Sequence, residues 1–342
     1  MINFGLVGVG YWGPNMARNL NNVDGGRLAW VCDADPKALA KIASLYPGTS
    51  TTQQLDEFLA ASDLDAVVIA TPAGTHFEIA EKCLKAGKHI LVEKPLAMTS
   101  DECDRLIELA EAASLKLMVG HTFLYSPPVR KIKELIEAGE LGDIYYAYST
   151  RANLGRIRQD VNAMWNLAPH DISILLYLFG DAPTSVSAKG ITQIQKGIED
   201  VVFMYLDFPN NMSAHVHVSW LDPGKVRSLT LVGSEKMVIY DDVSSDAKIK
   251  ILDKGVTKVL NNEAKSVSNF GEYQLLMRAG DVLIPKIPTA EPLKVECQHF
   301  ADCIANDEQP LTDGVHGKQV TRILEACDQS MSRNSCPVEV NL

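Results

Sequence analysis

Three stretches of this chain carry residue types at spacings that can do chemistry. Residues 165–173 read WNLAPHDIS, which sets His170 behind Pro169, four residues after Asn166 and beside Asp171. An imidazole titrates near neutrality and can take the proton of a hydroxyl group. LVEKPLAMT places Glu93, Lys94 and Pro95 at the end of an apolar run, where an ammonium group can favour a developing alkoxide. Gly8-Val9-Gly10-Tyr11-Trp12-Gly13 is a G-x-G-x-x-G directly behind another such run.

The glycine pattern has the context that gives it meaning: strand before, helix after, and Asp33 twenty residues beyond Gly13 at the end of the next strand. Gly8 permits the tight turn, Gly10 lets the backbone approach a pyrophosphate, and Gly13 permits close helix–strand packing. The helix N-terminus then offers oriented N–H groups to phosphates, with Tyr11 and Trp12 beside them. A carboxylate at Asp33 accepts from an adenosine ribose and repels a 2′-phosphate. Ala34 and Asp35 offer no arginine to such a phosphate, so NAD is expected rather than NADP.

Chemistry of this kind needs a scaffold that puts strand ends together. Through His121 the sequence alternates short apolar strands with amphipathic helices, as βαβ units of a parallel sheet do. Thr71 and Pro72 in ATPAGTHFE end one strand, with His76 opening the following helix. Open α/β sheets bind ligands at these carboxyl ends, so Thr71, Pro72, His76, Glu93, Lys94 and His121 are expected around the cofactor. His121 either reaches the cofactor pocket or fills the domain junction. After SPPVR the strands follow one another with turn signals such as FPNN and LDPG, a pattern of antiparallel pairing. One long apolar helix, beginning near His170, interrupts them. The expected fold is α/β: a parallel-sheet dinucleotide domain over 1–121, and an α/β domain with a large open, mainly antiparallel sheet over 122–342.

The net charge of −11 argues against a nucleic-acid or anionic-membrane footprint. Seven scattered cysteines without C-x-x-C spacing signal neither a zinc site nor a redox dithiol, and fit reduced thiols in a cytoplasmic protein. MINFGLVGVG enters a strand without a basic leader, and no uncharged apolar run is long enough to span a bilayer. No metal is expected. His215 and His217 alternate on one strand and share a sheet face, read as a possible subunit contact.

GVGYWG, ATPxxxH, VEKPLA and LAPHDI together resemble the Gfo/Idh/MocA oxidoreductase family, named for glucose–fructose oxidoreductase and inositol dehydrogenase. The resemblance runs over essentially the whole chain and includes LGDI at 141–144. It implies hydride transfer at a sugar or cyclitol carbinol, with dimers or tetramers. It assigns Lys94 to the family lysine that contacts the reacting hydroxyl and the cofactor. It assigns His170 to the histidine of a D-x-x-x-H element, often the general base. Asn166 stands where that element has aspartate, as in some nucleotide-sugar 3-dehydrogenases. Asn166 either orients His170 or caps the helix, with Pro169 in its first turn. A helix start would bias His170 to the neutral form.

TRANLGRIRQD carries Arg151, Arg156 and Arg158 as a diphosphate or carboxylate clamp, or else as a solvated loop. Tyr125, Lys225 and Arg227 are weaker candidates for substrate contact. The leading expectation is NAD-dependent oxidation of the 3-hydroxyl of UDP-N-acetylglucosamine or its uronic acid. An inositol or free-sugar dehydrogenase, a ketosugar reductase, and an inactive NAD-sensing regulator are the alternatives.

Overall fold

The structure, a computed structural model, describes residues 1–155, 157–256 and 277–341. The chain divides into two compact units: Met1–Ser126 with Ala290–Glu325, and Pro127–Thr289 with Ala326–Asn341.

In the first unit, β1 (Ile2–Val7), β2 (Gly26–Cys32), β3 (Ser50–Thr52), β4 (Ala66–Ile69), β5 (His89–Glu93) and β6 (Leu117–Gly120) form one sheet in the order β3-β2-β1-β4-β5-β6. Every pairing is parallel. β4 and β6 are buried throughout, as strands covered on both faces must be. The strand order reverses between β1 and β4, the crevice where such sheets take ligands. Helix starts follow the local chemistry. The Asp35 side chain accepts from Lys37 N at the start of α2 (Pro36–Leu45), after α1 (Gly13–Leu20). Between α3 (Leu55–Leu59), α4 (His76–Lys85) and β6, α5 (Ser100–Ala112) opens on a capping box of Thr99 and Glu102.

By its contacts the chain divides differently from the expected 121/122. The first unit runs on to Ser126, and it also takes α8 (Pro292–Asn306) and the first part of α9 (Gly314–Ser332). Cys297, Phe300, Val320, Ile323 and Leu324 are buried, and the Phe4 and Phe300 rings lie 6.0 Å apart. Polar pairs such as Arg18–Glu291 fix the attachment. An amphipathic helix shows in sequence which face it buries, but not which sheet it covers.

The second unit holds α6 (Pro127–Glu137), β7 (Ile144–Ala152), α7 (Ala163–Phe179) and β8 (Ser185–Ile191). It continues with β9 (Val201–Phe208), β10 (Met212–Ser219), β11 (Val226–Gly233), β12 (Met237–Asp241), β13 (Ile249–Val256), β14 (Met277–Leu283) and β15 (Val338–Glu339). The sheet order is β14-β13-β12-β11-β7-β10-β9-β8-β15. Among the described strands of this sheet only the β7–β10 pair is parallel. Ala147, Val202, Met204, Ala214 and Val216 are buried on the face that packs α7. The other face carries Tyr146, Tyr148 and Tyr205, all exposed. There the His217 ring stacks on Phe203 at 4.5 Å and His215 lies 4.9 Å from Tyr205.

Candidate functional site

The glycine turn follows β1 as expected. Gly8 has φ +93°, and a Cβ there would sit 2.8 Å from the Ala70 carbonyl oxygen. A Cβ on Gly13 would sit 2.3 Å from the Gly8 carbonyl oxygen, whereas one on Gly10 would enter open space. The backbone N–H of Val9 donates to Asp33 Oδ2 at 2.6 Å, and that of Asp35 donates to Oδ1 at 2.8 Å. Each oxygen keeps acceptor capacity, because a carboxylate oxygen has two lone pairs. An open space over Gly10, a helix start and a strand-end carboxylate are what a dinucleotide needs, so these residues fit NAD. Tyr11 and Pro72 are exposed, and Thr71 is half-buried and accepts from the Thr75 hydroxyl at 2.9 Å.

The segment after β5 adjoins this turn. The Trp12 side chain lies beside the Glu93 carboxylate and favours its charged form, and the Lys94–Pro95 peptide is cis. Burial raises the Glu93 pKa to about 7, against the opposing pull of Lys94. His76 is buried, with Nδ1 at 2.7 Å from the Pro95 carbonyl and Nε2 at 2.9 Å from that of Thr71. The structure therefore corrects its expected cofactor contact: the ring is engaged by backbone, where it ties two strand-end loops together.

Behind β6 lies a polar group that the sequence did not announce. His121 and His316 meet edge to face with ring centroids 5.2 Å apart. Burial lowers His121 well below the ordinary imidazole range, and it takes His316 to about 4. Glu296 is fully buried, and its Oε2 accepts from Thr122 at 2.8 Å. Burial, reinforced by the charge of Glu93, pushes its carboxyl well above the usual range. Both nitrogens of His121 and Glu296 Oε1 lack a hydrogen-bond partner among the described residues. A glutamate and a histidine on C-terminal helices read in sequence as solvated positions, so no signal singled out Glu296 or His316. Tyr125 requires correction as a substrate contact. It is 1% exposed, and its hydroxyl lies 3.0 Å from Thr312 Oγ1 in the core.

In the second unit α7 begins at Ala163, two turns before His170. Asn162 is its cap, with Oδ1 accepting from Trp165 N at 3.0 Å. This corrects three expectations. Asn166 is not the cap, and its Oδ1 instead accepts from Trp220 Nε1 at 3.1 Å. Pro169 lies inside the helix rather than in its first turn. His170, half-buried, stands two turns into the helix rather than at its start.

Arg151 is 4% exposed. Its Nε donates to Asp171 Oδ2 at 2.6 Å, and the Ser149 hydroxyl donates to Asp171 Oδ1 at 2.5 Å. The expected substrate clamp at Arg151 is therefore corrected: strand alternation on β7 turns the guanidinium into the protein, under α7. Arg158 pairs with Asp160 at 2.6 Å and Arg227 with Asp242 at 3.4 Å, whereas Lys225 is exposed. Arg156 lies outside the described residues. Among the described residues no group of three His, Cys, Asp or Glu could hold a metal ion, and no helix is long and apolar enough to cross a membrane.

A family model described as an oxidoreductase family with an NAD-binding Rossmann fold, GFO/IDH/MocA, matches residues 2–121. The GFO/IDH/MocA C-terminal domain model matches residues 129–239. Inositol 2-dehydrogenase of Rhizobium meliloti (strain 1021) is 30% identical over 204 residues, 58% of this chain and 61% of that protein. scyllo-Inositol 2-dehydrogenase (NAD(+)) of Bacillus subtilis (strain 168) is 27% identical over 98% of this chain and 96% of its own length. The chain spans about three fifths of the length of several other curated relatives it matches. A solved UDP-N-acetylglucosamine 3-dehydrogenase from Acidithiobacillus ferrooxidans superposes with a TM-score of 0.80 at 25% identity, over 97% of this chain and 99% of that one.

Proposed function

Since the chain belongs to the Gfo/Idh/MocA oxidoreductase family, we propose that it is an NAD-dependent dehydrogenase acting on a secondary hydroxyl of a sugar. The observation that carries this reading is the glycine turn itself, where Asp33 accepts from the Val9 N–H at 2.6 Å and Gly10 faces open space. This turn and the Lys94 segment follow the carboxyl ends of β1 and β5, parallel strands of one sheet. Gly8, Gly10 and Gly13 with the start of α1 hold the pyrophosphate, and Asp33 takes the adenosine ribose. NAD, when bound, accepts a hydride. Lys94 supplies the positive charge that favours the alkoxide, and His170 takes the hydroxyl proton.

The first substrate to test is UDP-N-acetylglucosamine, or its uronic acid, oxidised at the 3-hydroxyl. The likeness to the Acidithiobacillus enzyme supports this choice, as does an asparagine at position 166. A second reading, oxidation of a cyclitol or free sugar, is favoured by the arginines. Arg151, Arg158 and Arg227 are each paired with an aspartate, which neutralises them as a diphosphate clamp. The inositol dehydrogenases among the relatives agree with it. Initial rates of NADH formation with UDP-N-acetylglucosamine, scyllo-inositol and glucose decide between the two. NADH formed only with the free polyols would sink the nucleotide-sugar reading. The exposed Tyr146, Tyr148 and Tyr205 face of the open sheet is the surface we assign to self-association. Light scattering that reports a monomer would remove that assignment.

A further inference from the structure

Pro169 has no N–H to donate to the Trp165 carbonyl, so α7 is weakened one residue before His170. Two side-chain pins bracket the gap. Before it, Trp220 Nε1 holds Asn166 Oδ1. After it, Asp171 receives Ser149 Oγ and Arg151 Nε at 2.5 and 2.6 Å, with Arg151 Nη2 at 3.4 Å from the second oxygen. Ser149 and Arg151 are alternate residues of β7, which lies between β10 and β11 in the middle of the sheet, so they share the face toward α7.

We propose that Asp171 is a positioning residue for His170: its bridge to Arg151 and Ser149 fixes the rotation of α7 on β7 and thereby the direction of the neighbouring imidazole. Consecutive helical residues point about 100° apart, so locking one side chain to a rigid strand sets the direction of the next. Asp171 and Arg151 are 5% and 4% exposed. A pair buried this deeply gives little net stability over an apolar pair of similar size, which leaves geometry as its contribution. The bridge stands in for the carboxylate missing four residues before His170, acting through the backbone instead of on the ring. This inference rests on the reading of His170 as the base.

The test is the double variant Arg151→Met/Asp171→Leu, which removes both charges and leaves no buried ion unpaired. With UDP-N-acetylglucosamine and scyllo-inositol as probes, its kcat should fall at least about tenfold, with KM for NAD and thermal midpoint near the parent's. Peptide mapping after diethyl pyrocarbonate treatment should show His170 modified at least about threefold faster, with His215 and His217 unchanged as internal references. Unchanged His170 modification, or an unchanged kcat, overturns the proposal. If the parent turns over neither probe, the functional reading fails on its own account, and the modification rates still decide the positioning role. Should the double variant not fold, Ser149→Ala, which removes the hydroxyl arm of the bridge and leaves the ion pair in place, is read by the same two measurements: a lower kcat with faster His170 modification is expected, and no change in either overturns the proposal.

Discussion

The backbone N–H of Val9 donates to Asp33 Oδ2 at 2.6 Å, so the carboxylate that follows β2 also holds the glycine turn that follows β1. One side chain thus shapes the glycine turn and, on the proposed reading, presents the charge that meets the ribose. Asp33→Asn keeps an acceptor for Val9 while removing the charge. Its preference for NAD over NADP, measured as the ratio of the two Kd values, should fall by about tenfold or more, a factor worth 1.4 kcal/mol. An unchanged ratio would mean that the charge at this position does not select the cofactor.

Gly10 and Gly13 should separate binding from folding. A methyl group on Gly10 enters open space, whereas one on Gly13 runs into the Gly8 carbonyl oxygen at 2.3 Å. Gly10→Ala should leave the thermal midpoint of the free protein within about 2 °C of the parent and weaken NAD binding. Gly13→Ala should lower the midpoint itself, by the roughly 1–3 kcal/mol that forced overpacking costs. Equal effects on both quantities from both variants would contradict this assignment.

Removing the imidazole, by His170→Ala, should lower kcat by about 10²–10⁴-fold, the range for loss of a general base. NAD affinity by fluorescence titration should stay near the parent's. Parental turnover in this variant would reassign the base and leave Asp171 with nothing to position.

Glu296 should make the first unit lose stability as the pH rises. Its carboxyl is held well above the usual range by burial and then by Glu93, so the folded state keeps a proton that the unfolded chain has released above about pH 4.3. Unfolding free energy therefore falls with rising pH over that window. Glu93, raised to about 7, adds a decline from the ordinary carboxylate range up to about that value. His121 and His316 are lowered by burial and act in the other sense, losing stability as the pH falls below about 6.5. They are common to parent and variant and cancel in a comparison. Glu296→Gln should melt close to the parent at pH 5 and at least about 2 °C higher at pH 8. A variant less stable at pH 8 would show that the ionised form is favoured instead.

What was legible in the sequence is what period and context encode. The strand–helix alternation, the glycine turn and Asp33 all stand in β1, α1 and β2 as read. The short β3, Ser50–Thr52, escaped notice because three polar residues carry no periodic signal. His170 stands out by its type and its place in the family pattern, but its helix starts two turns earlier than the sequence suggests. Pro169 reads as a helix opener, and only the cap at Asn162 shows otherwise. Arg151 reads as a loop cation because nothing in TRANLGRIRQD announces that β7 continues through it and turns it inward. The buried Glu296 and His316 depend on which sheet α8 and α9 cover, a long-range fact with no local trace.

The most direct test of the central claim is NADH formation by the parent and by Lys94→Ala, measured with UDP-N-acetylglucosamine, scyllo-inositol and glucose alongside NAD binding. The account predicts NADH with at least one of these alcohols. It also predicts a loss of at least about 10²-fold in Lys94→Ala while NAD still binds. A parent that binds NAD yet forms no NADH with any of them, and consumes none with the corresponding ketones, would contradict it and point to a sensor of the cofactor.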